Sequence, residues 1–315
     1  MNPIKISVVV PVYNSSDCIT ALNNAIQSAF AGFNDYELIL VNDKSTDNSW
    51  EKIQEACALN DKITAISFRK NFGQDAALMA GLRISKGEYV VIMDDDLQHS
   101  PADILKLYEE CRKGYDVCFA LFPDKRQSDW KNMGSWLNGK ISEKLLNKPK
   151  EIYLSPFKII KREVVSEIIK YSGPYPYIDA TLLTITSNVT QIEIEHHDRF
   201  KGKSNYTFFR SLLVFIKHVT NYSIYPLRLV TITGFIAAIV SFILGILYLV
   251  QYLFGYDHKV EGWITIVILL IFFGGLILMC LGLIGEYVGR IFLSVNSKPQ
   301  YTIDKIINTQ KIISA

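Results

Sequence analysis

The fold of this chain is decided by the segment YVVIMDDDLQ, residues 89–98. A short apolar run, Tyr89–Met93, is followed at once by three acids, a leucine and a glutamine. The apolar run predicts a buried strand, so the acids lie in the turn at its carboxyl end. Adjacent carboxylates repel one another unless a cation neutralises them, which favours a metal-binding turn. The alternative for these acids is a solvated turn or helix caps.

Four further apolar runs, rich in valine and isoleucine, alternate with stretches of helix length. They are Ile6–Val12, Glu37–Val41, Ile63–Phe68 and Val117–Leu121. This alternation predicts an α/β fold with a mainly parallel sheet wound by crossover helices. In such sheets ligands lie beyond the carboxyl ends of the strands. We therefore expect the polar residues that follow four of the strands, around Tyr13, Asp43, Asn71 and Asp94, to converge on one cleft.

The chemistry expected in this cleft is oxygen ligation of a divalent cation. Asp94 and Asp96 can both reach one ion, with Gln98 as a neutral third oxygen, and Mg²⁺ or Mn²⁺ prefers such ligands. The chain has no G-x-x-x-x-G-K-[ST] loop and no dinucleotide-binding glycine loop. Their absence from the sequence disfavours a P-loop enzyme and a nicotinamide-dependent dehydrogenase.

Two long uncharged segments follow, Leu229–Phe254 and Gly262–Gly285. As helices they reach roughly 36–39 Å, enough to cross a hydrocarbon core of about 30 Å. The alternative is a pair of buried core helices, which this length disfavours. The short connection between them predicts a transmembrane hairpin. Lysines and arginines on both flanks, together with the lack of a signal-like leader, predict that the front domain and both termini are cytoplasmic.

Composition agrees with a soluble domain joined to a membrane anchor. The chain has 315 residues, of which 49% are hydrophobic, and a formal charge of +2. This small charge gives no indication of a basic surface that binds nucleic acid. Its five scattered cysteines indicate neither a zinc site nor a disulfide framework. We expect a cytoplasmic domain at residues 1–206, an interfacial helix at 207–228 that lies on membrane lipid, the hairpin at 229–285, and a cytoplasmic tail at 286–315.

The ordered motifs resemble those of family-two glycosyltransferases of the GT-A fold, specifically the polyprenyl-phosphate, dolichol-phosphate-mannose-synthase-like group. The resemblance covers nearly the whole chain. The motifs are VPVYN at 10–14, VNDKSTDNS at 41–49, RKNFGQDAALMAGL at 69–82, DDDLQ at 94–98, RFKGKSNY at 199–206, and GEYVGR at 285–290 with Lys298-Pro299. The D-x-D pattern alone is weak evidence for this family, whereas the ordered set of motifs is specific for it.

The resemblance implies a role for each residue of the donor site. Asp43 would accept a hydrogen bond from the imide N–H of a uracil ring, and Pro11 and Tyr13 would shape the wall around base and ribose. Asn71 would also bind the nucleotide. Asp94 would lie on the ribose and diphosphate side, and it would join Asp96 and Gln98 in holding Mg²⁺ or Mn²⁺ as a Lewis acid for the leaving group. Pro11 and Tyr13 could equally be packing residues, and Asp43 an ordinary turn acid.

The resemblance implies that Arg199, Lys203 and Ser204 clamp a phosphate, either of the departing nucleotide or of a lipid acceptor, with Arg199 important for transfer. The alternative is a basic stretch attracted to anionic headgroups. Asp179 could orient the acceptor, or be only a helix N-cap or surface acid. Three departures from the family pattern stand out, at Phe122, Pro156 and Asn205, which replace an arginine, an acid and a lysine. Replacements for the missing cations are expected among Lys158, Lys203 and Lys125-Arg126.

Taken together, the resemblance implies metal-dependent inverting transfer of a sugar from a UDP-sugar to polyprenyl phosphate, specifically undecaprenyl phosphate, at the cytoplasmic face of the inner membrane. One alternative is a transferase that extends a glycan or a lipid-linked saccharide at a hydroxyl. Another, from a different class, is a non-catalytic scaffold or flippase component. The sequence leaves open the sugar, the metal, the polyprenyl length and whether the chain forms a homo-oligomer.

Overall fold

Short apolar runs form the strands of the first part of the chain, as the sequence predicts. The computed structural model describes residues 4–122, 152–173, 175–194, 225–254, 262–296, 299–308 and 311–314. The strands are β1 Ile6–Val12, β2 Tyr36–Asn42, β3 Ile63–Phe68, β4 Tyr89–Ile92, β5 Val117–Leu121, β6 Lys158–Lys161, β7 Val189–Glu193, β8 Ile303–Asn308 and β9 Lys311–Ser314. The helices are α1 Ser16–Ala29, α2 Ser49–Leu59, α3 Gln74–Ile84, α4 Ile104–Cys111, α5 Arg162–Ile168, α6 Ile178–Ile185, α7 Tyr225–Leu253 and α8 Trp263–Val295.

The described strands form one mixed sheet in the order β7-β5-β6-β4-β1-β2-β3-β8-β9. Strands β3, β2, β1 and β4 are parallel to one another, whereas β6 and β8 run antiparallel to β4 and β3. Every residue of β1 and β2 is buried, as expected for central strands covered on both faces. The predicted α/β fold with a mixed, mainly parallel sheet is therefore confirmed.

Helices cover both faces of the sheet and form two apolar layers. Leu22, Ile53 and Leu107 from α1, α2 and α4 belong to one buried cluster, and Met79 and Leu182 from α3 and α6 belong to the other. Helix α3 lies very close to β1, because a Cβ added to Gly81 would lie 2.4 Å from Val9 Cγ1. This close packing holds α3 against β1, and the helix begins at Gln74, which lines the cleft.

The carboxyl-terminal segment returns to the sheet. Strand β8 pairs with β3, the Tyr301 ring stacks on Phe68 at a centroid distance of 5.1 Å, and the Arg69 N–H donates to Thr302 O. The side chain of Gln300 is buried and donates to the backbone oxygens of Tyr171 and Gly173. The sequence predicts a cytoplasmic tail at residues 286–315. In the structure the tail's strands extend the sheet, and α8 runs on to Val295.

Two compact units divide the chain, one of Met1–Thr207 with Ser297–Ala315 and the other of Phe208–Asn296. In the second unit, α7 and α8 correspond to the two uncharged segments. Within the part of this unit that the structure describes, one stretch, Leu269–Val295, is long and apolar enough to cross a membrane. The apolar stretch in α7, Val230–Leu244, is shorter, so the predicted two-span hairpin is not confirmed. Most of the predicted interfacial helix at 207–228 lies outside the described residues.

Candidate active site

A cleft opens at the carboxyl ends of the parallel strands, with a volume of about 320 Å³. Its described lining consists of Pro11, Val12, Tyr13, Asp43, Asn71, Gly73, Gln74, Asp94, Asp95 and Asp96. Six of the residues singled out from the sequence therefore lie together, and Gln98 follows in the turn after Asp96. Arg199, Lys203 and Ser204 fall outside the described residues. The predicted convergence of strand ends on one cleft is what the structure shows.

Asp43 joins two walls of the cleft. It follows β2 and is 3% exposed, and its two carboxylate oxygens accept hydrogen bonds from the backbone N–H groups of Phe72 and Gly73 at 2.7 and 2.8 Å. Burial raises the pKa of the Asp43 carboxyl, and the two backbone hydrogen bonds oppose that shift. A carboxylate has about four acceptor positions, so Asp43 can still accept a bond from a ligand. It thus holds the loop after β3 in addition to any role in binding.

The loops after β1 and β2 are hydrogen-bonded to each other. Asn14 and Lys44 both adopt the left-handed conformation, each with φ of 55°. The Asn14 N–H donates to Ser45 Oγ, and the Thr46 N–H donates to Asn14 Oδ1 at 2.8 Å. These bonds fix the backbone beside Tyr13, whose side chain is 50% exposed and available to stack on a planar ring.

The three consecutive acids have three different environments. Gln74 Nε2 donates to Asp94 Oδ1 at 2.8 Å, and the Gln98 N–H donates to Asp96 Oδ1 at 3.1 Å in a turn where Leu97 has φ of 58°. Burial raises the pKa of Asp95 to about 6, although bonds from the Ser15 side chain and the Tyr13 backbone oppose the shift. Asp95 is not among the site residues predicted from the sequence. It ties the acidic turn to the loop after β1.

The chemistry of the acidic turn fits a hard divalent cation. Asp94 and Asp96 are partly exposed and line the same cleft. Among the described side chains, no group of three His, Cys, Asp or Glu is arranged to hold a metal alone. Mg²⁺ and Mn²⁺ sites of this kind take one or two carboxylates and complete the shell with waters and substrate phosphates. The two acids could therefore hold an ion together with the diphosphate of a ligand.

Lys158 and Asp179 contact each other in the structure. Lys158 opens β6, is 3% exposed and forms an ion pair with Asp179 in the first turn of α6. The N-cap of that helix is Tyr177, so the N-cap alternative for Asp179 is wrong. Lys158 stays a predicted phosphate-binding residue, and in the structure its ammonium is buried against this carboxylate. Lys158 and Asp179 are 21 residues apart in the sequence, so their pairing could not be predicted from local spacing.

Phe122 takes part in an aromatic stack. The His99 ring lies between Phe122 and Phe157, with centroid distances of 5.2 and 5.3 Å and nearly parallel planes. Phe122 is buried, so this position contributes packing where the family pattern has a cation. The stack supports the segment that follows the acidic turn, since His99 comes directly after Gln98.

Replacing Asp43 with asparagine is expected to weaken UDP binding by about 1–3 kcal/mol. An asparagine side chain has one acceptor oxygen and one amide group, and the amide would face a backbone N–H of Phe72 or Gly73, donor against donor. Calorimetric titration of UDP into parent and variant measures the loss. The exposed Asp61→Asn change serves as the control. Parental UDP affinity in Asp43→Asn would show that neither this residue nor the loop it holds contributes to nucleotide binding.

Comparison with known proteins identifies the family to which the sequence is similar. The family model for glycosyl transferase family 2 matches residues 7–169. The undecaprenyl-phosphate 4-deoxy-4-formamido-L-arabinose transferase of Proteus mirabilis (strain HI4320) is 30% identical over 310 residues, which cover 98% of this chain and 95% of that protein. The transferase of the same name from Klebsiella pneumoniae (strain 342) is 29% identical and covers 98% of this chain and 96% of its own length.

Solved structures share the fold of the front domain. Glucosyl-3-phosphoglycerate synthase from Mycobacterium tuberculosis, crystallised with Mn²⁺ and UDP-glucose, aligns with a TM-score of 0.52 at 18% identity, over 69% of this chain and 77% of that one. The same enzyme with Mn²⁺, UDP and phosphoglyceric acid aligns with a TM-score of 0.53 at 17% identity, over 69% of this chain and 76% of that one. At this identity the likeness shows the GT-A fold alone.

Proposed function

The chain belongs to glycosyl transferase family 2, and from this premise we propose that it moves a sugar from a UDP-sugar to undecaprenyl phosphate with inversion at the anomeric carbon. The products would be UDP and a polyprenyl monophosphosugar. The acceptor is proposed because relatives named for undecaprenyl-phosphate transfer align over nearly the full length of the chain. The family match disfavours the non-catalytic scaffold.

The observation that carries this proposal is the cleft that brings Asp43, Asp94 and Asp96 together in a chain that also has a long apolar helix. Tyr13 and Asp43 both line the cleft and would take the base. Asp94 and Asp96 would hold a divalent cation against the diphosphate. When bound, that ion would supply Lewis-acid stabilisation of the departing UDP. Gln74 orients Asp94 for this task through its 2.8 Å hydrogen bond.

The nucleophile is proposed to be an oxygen of the acceptor phosphate. The family pattern often has an acid where this chain has Pro156, which cannot remove a proton. A phosphomonoester has a second pKa near 6 and is already largely ionised at pH 7. It therefore needs orientation and charge screening more than it needs a general base. Cationic side chains near the membrane would supply both.

Arg199→Ala is expected to lower transfer about a hundredfold, because a guanidinium can clamp phosphate with two parallel hydrogen bonds. Lys201→Ala, in the same motif, is the matched control and should stay near the parent. Initial rates of UDP release at saturating donor give the comparison. Asp179→Asn should have a smaller effect than Arg199→Ala. If Asp179→Asn instead abolishes turnover while both substrates still bind, the acceptor is better explained as a hydroxyl, and the glycan-extending alternative is favoured.

Donor and acceptor can be tested together on the full-length protein in vesicles. UDP-glucose, UDP-galactose, UDP-N-acetylglucosamine and UDP-arabinose are each supplied with Mn²⁺ and with or without undecaprenyl phosphate, and UDP release is measured. We expect at least one UDP-sugar to give release that requires both the metal and the lipid phosphate. If UDP release does not depend on undecaprenyl phosphate but rises when a lipid-linked saccharide is added, the proposed acceptor is contradicted.

The proposal also places the protein at the cytoplasmic membrane. The apolar stretch Leu269–Val295 would anchor it, with the cleft on the cytoplasmic side, where UDP-sugars and the phosphate end of the lipid are both accessible. Divalent metal dependence is part of the proposal, supported by the carboxylates of the cleft. Mg²⁺ and Mn²⁺ both suit these ligands.

A further inference from the structure

Three charged side chains from three separate elements interact behind the cleft wall. Asp75 lies in the first turn of α3, Lys158 at the start of β6, and Asp179 in the first turn of α6. Lys158 and Asp179 form an ion pair, and Asp75 Oδ1 accepts a 3.5 Å hydrogen bond from the backbone N–H of Ile178. Asp179 and Lys158 are also the charged groups that act on Asp75. Asp75 lies within the motif at residues 69–82 but is not among the site residues predicted from the sequence.

The cluster has one positive and two negative charges when both acids are ionised. Burial and the charge of Asp179 raise the pKa of Asp75 to about 6, and the bond from Ile178 together with the charge of Lys158 opposes this shift only in part. Since the pKa in the folded state exceeds the ordinary value of 3.8, ionised Asp75 destabilises the fold. Its destabilising effect grows as pH rises from about 4 to about 6 and persists at pH 7.

The cluster is joined to the cleft from two sides. Asp75 directly follows Gly73 and Gln74, which line the cleft, and Gln74 donates to Asp94. Lys158 pairs with Ile92 at the end of β4, two residues before Asp94. A shift of the cluster would therefore move both the start of α3 and the end of β4.

We propose that Asp75 is a positioning residue for glycosyl transfer, which acts through Lys158 and Asp179 to hold the first turn of α6 against the cleft wall formed by Gly73 and Gln74. Because the charge of Lys158 acts on Asp75 as well as on its ion-pair partner Asp179, it does not fully neutralise Asp179. The Asp179 side chain is 16% exposed and can still accept a hydrogen bond from a substrate group. An acid that lowers stability at this position is consistent with a functional requirement. The inference rests on the proposed transfer reaction.

The test compares Asp75→Asn with the parent in the full-length protein. Asparagine keeps the acceptor oxygen for the Ile178 N–H and removes the charge. At pH 7.5 we expect kcat to fall about tenfold with KM for the UDP-sugar changed less than about threefold. We expect the melting temperature at the same pH to equal or exceed that of the parent, and the difference in melting temperature to shrink as pH falls towards 4.

The pH dependence separates positioning from structural support. The ratio of parental kcat to that of Asp75→Asn should fall towards 1 below pH 6, where the parental Asp75 is itself protonated. Titration of the acceptor phosphate affects both proteins equally and leaves the ratio unchanged. The control Asp61→Asn, an exposed acid at the other end of β3, should give a ratio near 1 at every pH.

Two results would overturn the inference. One is an Asp75→Asn variant with parental kcat at pH 7.5. The other is a variant whose melting temperature and kcat both fall, while the ratio of parental to variant kcat stays the same at every pH. That result would show that Asp75 gives structural support only. The ratio can also be measured for metal-dependent hydrolysis of the UDP-sugar by water. Failure of undecaprenyl phosphate as acceptor would then refute the proposed function and leave this test of Asp75 intact.

Discussion

Asp96→Asn is expected to lower turnover at least about a hundredfold, a loss of about 2.7 kcal/mol of transition-state stabilisation. The substitution removes a negative charge from the residue proposed to hold the cation that stabilises departing UDP. The fold should be retained, because an asparagine oxygen can still accept the 3.1 Å hydrogen bond from the Gln98 N–H that forms the acidic turn. Steady-state rates of UDP release measure the effect.

The control for this experiment is Asp61→Asn, which removes an exposed carboxylate far from the cleft and should leave turnover unchanged. A melting curve of each variant checks that the fold is intact. The parental enzyme should lose activity in excess EDTA and regain it with Mn²⁺ or Mg²⁺. Near-parental turnover in EDTA, or in Asp96→Asn at saturating metal, would refute the metal role of the acidic turn.

Ending the chain at Asn296 is expected to destabilise the front domain by several kcal/mol, comparable with the whole stability of about 5–15 kcal/mol for such a domain. The truncation removes β8 and β9 and exposes the edge of β3. It also takes away the Tyr301 ring that stacks on Phe68, and the Gln300 amide that donates to Tyr171 and Gly173. Thermal unfolding and UDP titration of the full-length and shortened proteins measure the change.

A chain that ends at Asn308 is the matched control, since it keeps β8 against β3 and lacks only β9. It should melt close to the parent and bind UDP normally. The single change Arg69→Ala, which removes the 3.4 Å ion pair with Asp304, should have a small effect because both side chains are partly solvated. If the chain that ends at Asn296 melts like the parent and binds UDP equally, the returning segment does not support the cleft.

The central strands were predictable because each is a run of apolar residues between polar stretches. Strands β1, β3 and β5 have the predicted bounds, and β2 and β4 differ by one residue at their ends. The antiparallel strands were missed because they lack that signal. Strand β6 has the sequence Lys-Ile-Ile-Lys, and β8 combines isoleucines with charged and polar residues on a sheet edge. Their positions depend on partners far away in the chain.

The site residues were predictable where they directly follow a parallel strand. Tyr13, Asp43, Asn71 and the acids at 94 and 96 all follow parallel strands, and the topology brings them together. Contacts between loops were not predictable from spacing. The bond from Phe72 to Asp43 spans 29 residues, and the cluster of Asp75, Lys158 and Asp179 joins three distant segments. The ion pair of Lys158, a predicted phosphate-binding residue, with Asp179 is one of these contacts.

The mass of the lipid product tests the central claim most directly. Full-length protein is incubated with undecaprenyl phosphate, Mn²⁺ and the active UDP-sugar, and the lipids are extracted for mass spectrometry. The proposed reaction predicts a single new species whose mass equals undecaprenyl phosphate plus one sugar residue, with one phosphorus per molecule and one UDP released for each. A product with two phosphorus atoms, or a saccharide extended at a hydroxyl while undecaprenyl phosphate stays unchanged, would contradict the proposal.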